Sequence, residues 1–100
     1  MKPVLCFVYA DGCPACEAAK PELAKFRNAY PHIFVRYYDV TKPPNAGGWP
    51  EGGWAPEATP TYLATFANRQ PVGYVGTMKK EEIVKFLRIA CEKLGLPQAV

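Results

Sequence analysis

Two cysteines three positions apart, in Cys13-Pro14-Ala15-Cys16, are the residues of this chain best placed to do chemistry. They follow an apolar run, Val4 to Ala10, and open a segment with helical spacing. At such a strand-to-helix junction the two sulfurs can close a small disulfide ring. The first would sit over unpaired N–H groups at the helix start, where the positive end of the helix dipole favours thiolate over thiol. Thiolate is the form that attacks a disulfide, so the pair can carry thiol–disulfide exchange with no metal or organic cofactor. The two thiols are expected to differ in task. Cys13, exposed at or before the first turn, is the nucleophile, and Cys16, one turn inside on the buried stripe, is the resolving thiol. Pro14 suits the first turn because its missing N–H would be unpaired there in any case.

The elements that must hold this pair can be read from the apolar pattern. Val4 to Ala10 is continuous rather than alternating, as in a central strand covered on both faces. Pro14 through Tyr30 reads as a helix, with Cys16, Ala19, Leu23, Phe26 and Tyr30 on one stripe. Pro21 should bend it and Pro31 ends it. Ile33 to Asp39 is a second strand. The interval Thr41 to Glu57, rich in proline and glycine, disfavours regular structure. Thr61 to Phe66 and Val72 to Val75 form a hairpin around Asn68-Arg69-Gln70. Lys79 to Leu94 is an amphipathic helix with Ile83, Phe86, Leu87, Ala90, Cys91 and Leu94 on one face, stopped by Gly95 and Pro97. The order is β-α-β-loop-β-β-α, with the first two strands parallel in a right-handed crossover.

Composition narrows the function classes. One hundred residues make a single domain, 1–100, with a modest core. A net charge of +3 is mild, and the densest basic pair, Lys79-Lys80, runs into Glu81-Glu82, unlike the basic stripe of a nucleic-acid binder. No run approaches the length of a membrane span. Met1 to Ala10 has the look of a short signal peptide, yet it supplies the strand that carries the motif, so it is read as structure and the chain as cytoplasmic. Four cysteines are compatible with two disulfides or with a tetrahedral zinc or iron–sulfur site. Cys6 inside an apolar strand and Cys91 on a helical core stripe fit reduced, buried thiols better. No metal is therefore expected. His32, at the far end of the helix, reads as a surface residue, and the aromatic residues from Phe34 to Tyr38 as core and sheet surface.

Three separated pieces of the chain resemble the thioredoxin family. They are Tyr9-Ala10-Asp11-Gly12-Cys13-Pro14-Ala15-Cys16 with Pro21 beyond it, Thr59-Pro60-Thr61, and Val75-Gly76-Thr77 running into the last helix. The resemblance implies an α/β thioredoxin-like fold in compact form, with a four-stranded mixed sheet flanked by helices. It also implies a cis bond before Pro60, which would turn the Thr59 backbone toward the dithiol to pair with an extended substrate. Gly12, Pro14, Ala15, Thr59, Pro60 and Gly76 would then border a substrate groove. The implied partners are disulfide-containing proteins, with a thioredoxin reductase or the glutathione system as electron donor, for a monomer without a resident cofactor.

The departures from the family are specific. Gly12 stands where thioredoxins usually have Trp, and Phe7 falls where they have a buried acid. Val75-Gly76-Thr77 replaces the Gly-Gly-acidic segment with which a glutaredoxin holds glutathione. The reading is a reductant of protein disulfides. The alternatives are a glutathione-dependent glutaredoxin-like enzyme and a redox-inactive interaction module of the same fold. A near duplication, Gly47-Gly48-Trp49-Pro50-Glu51 and Gly52-Gly53-Trp54-Ala55-Pro56-Glu57, precedes Thr59. Its tryptophans either border the dithiol or cover a sheet edge.

Overall fold

The computed structural model describes residues 1–41 and 58–100. The Gly47–Glu57 repeat and its tryptophans, for which the sequence offers two readings, lie outside the described residues. Six elements follow one another: β1 (Val4–Tyr9), α1 (Pro14–Ala29), β2 (Val35–Asp39), β3 (Thr61–Thr65), β4 (Val72–Val75) and α2 (Lys80–Leu94). The strands form one sheet in the order β2-β1-β3-β4. β1 pairs parallel with β2, placing Phe7 beside Tyr37, and antiparallel with β3, placing Phe7 beside Tyr62. β3 pairs antiparallel with β4, so Thr61 lies beside Val75.

The alternation of side chains along β1 explains its unbroken apolar character. Leu5 and Phe7 point into a large core shared with Ala19, Leu23 and Phe26 of α1 and Ile83, Leu87 and Cys91 of α2. Cys6 and Val8 point the other way, into a smaller core with Tyr38 and Leu63. A strand buried on both faces has no place for a polar residue, and none stands between Val4 and Tyr9 apart from the Tyr9 hydroxyl. Both described helices pack on the same face of the sheet, against the Leu5–Phe7 side.

α1 buries Cys16, Ala19, Leu23 and Phe26, the stripe expected from its periodicity. Pro21 lies inside α1 without ending it. Its ring nitrogen cannot donate to the Glu17 carbonyl, and Glu17 is exposed, so water can take that acceptor. α2 stops at Gly95, which adopts a left-handed φ of 69° and donates back to Cys91 and Glu92 carbonyls. At its start, the Lys79 N–H donates to Glu82 Oε1 at 3.0 Å, and the Lys80 N–H donates to Glu22 Oε1 of α1 at 3.0 Å. The second bond ties the two helices together where α2's first N–H groups would otherwise lack partners.

β2 is shorter at its start than the apolar pattern suggests. Ile33 and Phe34 precede it, Ile33 bonding back to the Tyr30 carbonyl at 3.1 Å and Phe34 accepting from the Leu5 N–H at 3.0 Å. Ile33 is buried in the main core while Phe34 is 60% exposed. The aromatic run therefore divides between core and surface, with Tyr38 buried and Tyr37 outward.

Candidate active site at the Cys13–Cys16 disulfide

The backbone prepares the site before any side chain acts. After β1, the chain turns through Asp11 and Gly12, the latter at φ 71°. A Cβ on Gly12 would meet no atom within 4 Å, so it is the left-handed backbone and not space that favours glycine there. Cys13 then takes an extended conformation (φ −99°, ψ 104°) as the N-cap of α1, with Pro14 in the first helical position. An N-cap side chain normally accepts a hydrogen bond from an N–H two or three residues on. Here the acceptor is sulfur: the Cys16 N–H donates to Cys13 Sγ at 3.1 Å.

Cys13 and Cys16 are joined as a disulfide. Cys16 is fully buried. Cys13 is half-buried rather than open as expected, and Thr59 is among the residues that touch its sulfur. The Thr59 hydroxyl donates to Cys13 Sγ at 3.5 Å, and the Thr59 carbonyl oxygen lies 3.8 Å from the same sulfur. The Thr59–Pro60 peptide bond is cis. On the far side of Pro60, Thr61 begins β3, and its hydroxyl donates to the Ala58 carbonyl at 2.7 Å, closing the turn.

A third segment completes the site. The Gly76 N–H, just after β4, donates to the Pro60 carbonyl at 2.9 Å. Gly76 has φ 122°, a backbone that a side chain would strain. The next residue, Thr77, donates its hydroxyl to the Ala15 carbonyl at 3.0 Å. The dithiol ring is thus held from two directions, by Thr59 at Cys13 and by Thr77 at Ala15. Gly12, Pro14, Ala15, Thr59, Pro60 and Gly76 are brought around the disulfide by these bonds and by chain continuity. Sequence reasoning missed Thr77. Its only signal was its place directly after Gly76, and nothing in that spacing says which carbonyl its hydroxyl meets.

On the core side of the site, Phe7 and Tyr62 supply no acid or base near neutrality. Phe7 is fully buried, its ring 6.1 Å from Tyr9, 6.0 Å from Tyr37 and 5.3 Å from Tyr62 between centroids. The Tyr62 hydroxyl is buried and has no hydrogen-bond partner among the described residues; it faces the Met78 N–H without reaching bonding geometry. Burial pushes its ionisation up to about 12, so it keeps its proton near neutrality. Two thiols stand apart from the pair. Cys6 belongs to the smaller core and Cys91 to the larger, on opposite faces of the sheet, so the four cysteines are not gathered around one point. Burial pushes the Cys6 thiol up, which disfavours its nucleophilic form. His32 is exposed, with Nε2 2.6 Å from the Ala99 carbonyl oxygen, well away from the disulfide along α1.

No family model matches the sequence, and no curated protein matches it. Solved structures match the fold. Mitochondrial thioredoxin 3 from Saccharomyces cerevisiae, in its oxidised form, superimposes with a TM-score of 0.66 at 22% identity, over 88% of this chain and 78% of that one. Thioredoxin-2 of a malaria parasite, described as a component of its protein secretion machinery, gives 0.71 at 14% identity, over 88% and 82%. Thioredoxin from Fasciola hepatica gives 0.68 at 13% identity, over 89% and 81%. The chain has the thioredoxin fold, with a disulfide at Cys-x-x-Cys spacing at the start of its first helix. Among the described residues, no helix is long and apolar enough to cross a membrane.

Proposed function

We propose that this protein is a thiol–disulfide oxidoreductase that reduces protein disulfides. The observation that carries the reading is the setting of Cys13 Sγ, half-exposed at a helix N-cap and facing two donors, the Cys16 N–H and the Thr59 hydroxyl. Both donors favour negative charge on that sulfur once the disulfide is reduced. Cys13 thiolate attacks one sulfur of a substrate disulfide. The new S–S bond forms as the substrate bond breaks, and the departing thiolate takes a proton from solvent. Cys16 then loses its proton, attacks Cys13 Sγ and releases the second substrate thiolate, which is protonated in turn. Two electrons and two protons pass to the substrate, and the chain ends as the Cys13–Cys16 disulfide seen here.

Phe7 cannot titrate, so the Cys16 proton leaves to water, to a neighbouring thiolate or to another group outside β1. Gly12, Pro14, Ala15, Thr59, Pro60 and Gly76 form the surface along which an extended polypeptide docks. The buried, unpaired Cys6 and Cys91 suit a reducing compartment such as the cytoplasm, where a thioredoxin reductase or glutathione returns the pair to dithiol.

Turnover of a disulfide-bonded protein, with either NADPH and thioredoxin reductase or NADPH, glutathione and glutathione reductase, tests the proposal and identifies the donor. Cys13→Ser should abolish turnover. Cys16→Ser should accumulate a mixed disulfide on Cys13, seen by mass spectrometry. A redox titration near about −270 mV fits a reductant, and one near about −120 mV an oxidant. Adducts on Cys16 would reverse the two roles, and absence of turnover with both donors would leave the fold as an interaction module.

A further inference from the structure

The charges beside the disulfide do not cancel. The two segments that reach the Cys13–Cys16 pair from outside α1, 58–61 and 75–77, carry no charged residue. On the stretch that holds the pair, 10–18, the charged residues are Asp11 and Glu17, both acidic and both exposed. Glu17 stands one helical turn past Cys13, and its N–H donates to the Cys13 carbonyl at 3.1 Å. Its carboxylate is taken by Lys20, whose ammonium lies 3.0 Å from Glu17 Oε1 and 5.2 Å from the centre of the Tyr9 ring. The ionisation of Lys20 is pushed up first by that bond, with Asp11 the smallest contributor. Asp11 itself makes no hydrogen bond or ion pair among the described residues. Glu17 and Lys20 therefore offset each other, and Asp11 is the charge left over. The next charges along the rim, Lys79, Lys80, Glu81 and Glu82 at the start of α2, are balanced in number.

Its nearness to the reacting sulfur follows from chain geometry. Two peptide units separate Asp11 from Cys13, so their Cα atoms are at most about 7 Å apart. The Debye length at physiological ionic strength is about 8 Å, so a charge on Asp11 acts on whatever approaches Cys13. Between the two stands Gly12, with φ 71° and no atom within 4 Å of the place where a Cβ would be, so no side chain fills that approach. A disulfide arriving at Cys13 brings the neighbours of its own cysteine to a comparable distance. Their charge meets Asp11 during the approach and, in the reduced protein, the Cys13 thiolate, which has the same sign.

We propose that Asp11 selects substrates by charge, so that the disulfides this protein reduces fastest are flanked by lysine or arginine and those flanked by aspartate or glutamate are disfavoured. This selection rests on the oxidoreductase reading above and names the substrate class of that site. It acts on the rate of encounter and attack and requires no tight binding. Asp11 touches neither sulfur and is a specificity residue, while Cys13 and Cys16 carry the chemistry.

The test uses the full chain, reduced, in a Cys16→Ser background, with disulfide-linked dimers of short capped peptides as probes. Each peptide has a central cysteine with lysine, glutamine or glutamate on both sides. The Cys13 thiolate attacks one peptide sulfur, the peptide disulfide breaks as the new S–S bond forms, and the released thiolate takes a proton from solvent. Mass spectrometry follows the adduct on Cys13. The ratio of the lysine rate to the glutamate rate cancels any change in the intrinsic reactivity of the Cys13 thiolate, which is common to both. At low salt, Asp11→Ser should lower that ratio about threefold and Asp11→Lys about tenfold, and the ratios should converge at about 0.5 M salt. Lys20→Gln leaves Glu17 without its cation and should raise the ratio. The glutamine peptide separates the two readings. Absence of adduct from every peptide removes the oxidoreductase reading and this selection with it. If the glutamine peptide reacts while folded Asp11→Ser keeps the parent ratio, the charge selection alone is overturned. A ratio that falls in Lys20→Gln overturns it as well.

Discussion

Replacing Thr59 by valine tests the electrostatics of the site in a way that a loss of activity alone would not. Valine keeps the shape and the β-branching but deletes the hydroxyl that donates to Cys13 Sγ at 3.5 Å. The Cys16 N–H, at 3.1 Å, remains. A hydrogen bond to a charged group contributes about 1.5–3 kcal/mol net, and a long bond to a half-buried sulfur belongs at the low end. About 1.4 kcal/mol corresponds to a tenfold change in the thiolate-to-thiol ratio. Reactivity changes less than ionisation does, because a more basic thiolate is a better nucleophile. With a Brønsted slope of about 0.4–0.5, a tenfold change in basicity raises the reactivity of the anion about threefold. Below the ionisation range the variant should therefore react about threefold more slowly than the parent. Above it, where both are fully ionised, the variant should react about threefold faster, so the two profiles must cross. The assay is iodoacetamide alkylation of the reduced protein from about pH 5 to 10, in a Cys16→Ser background, with Cys13 followed by mass spectrometry. Superimposable profiles, or a variant slower at every pH while still folded, would refute a stabilising role for the Thr59 hydroxyl.

Phe7→Asp places a carboxylate among the Tyr9, Tyr37 and Tyr62 rings and should cost about 3–5 kcal/mol at neutral pH, read by urea unfolding. Because burial raises that acid's ionisation, the penalty should shrink toward about pH 4, where it is protonated; equal penalties at both pH values would contradict this. Glu22 is held below its usual 4.5, first by the Lys25 side chain and then by the Lys80 N–H. Its contribution is present above 4.5 and lost as pH falls through the depressed value, so Glu22→Gln should flatten the acid limb of a plot of Tm against pH and converge with the parent near about pH 2. Thr77→Val removes the exposed bond to the Ala15 carbonyl and should cost about 0.5 kcal/mol, lowering Tm by about 2–4 °C. An unchanged Tm would mean that this bond contributes nothing to holding the dithiol ring.

The sequence by itself determined the elements and the pair of sulfurs. A continuous apolar run marks a strand buried on both faces, and a stripe at steps of three and four marks α1 and α2, because these periods follow from backbone geometry alone. Cys13 and Cys16 are joined by a spacing of three along one helix start, so their proximity needs no tertiary contact. The glycine after Leu94 and the proline beyond it likewise fixed the end of α2 locally. What the tertiary structure alone decided is every contact across long separations. The bond from Thr59 to Cys13 spans 46 positions and reaches a sulfur that the local pattern leaves open. The bond from Thr77 to Ala15 spans 62, and the one from Lys80 to Glu22 spans 58. Each depends on how sheet register and helix packing bring remote segments together, and a hydroxyl or carboxylate on an exposed position carries no periodic signal of its partner.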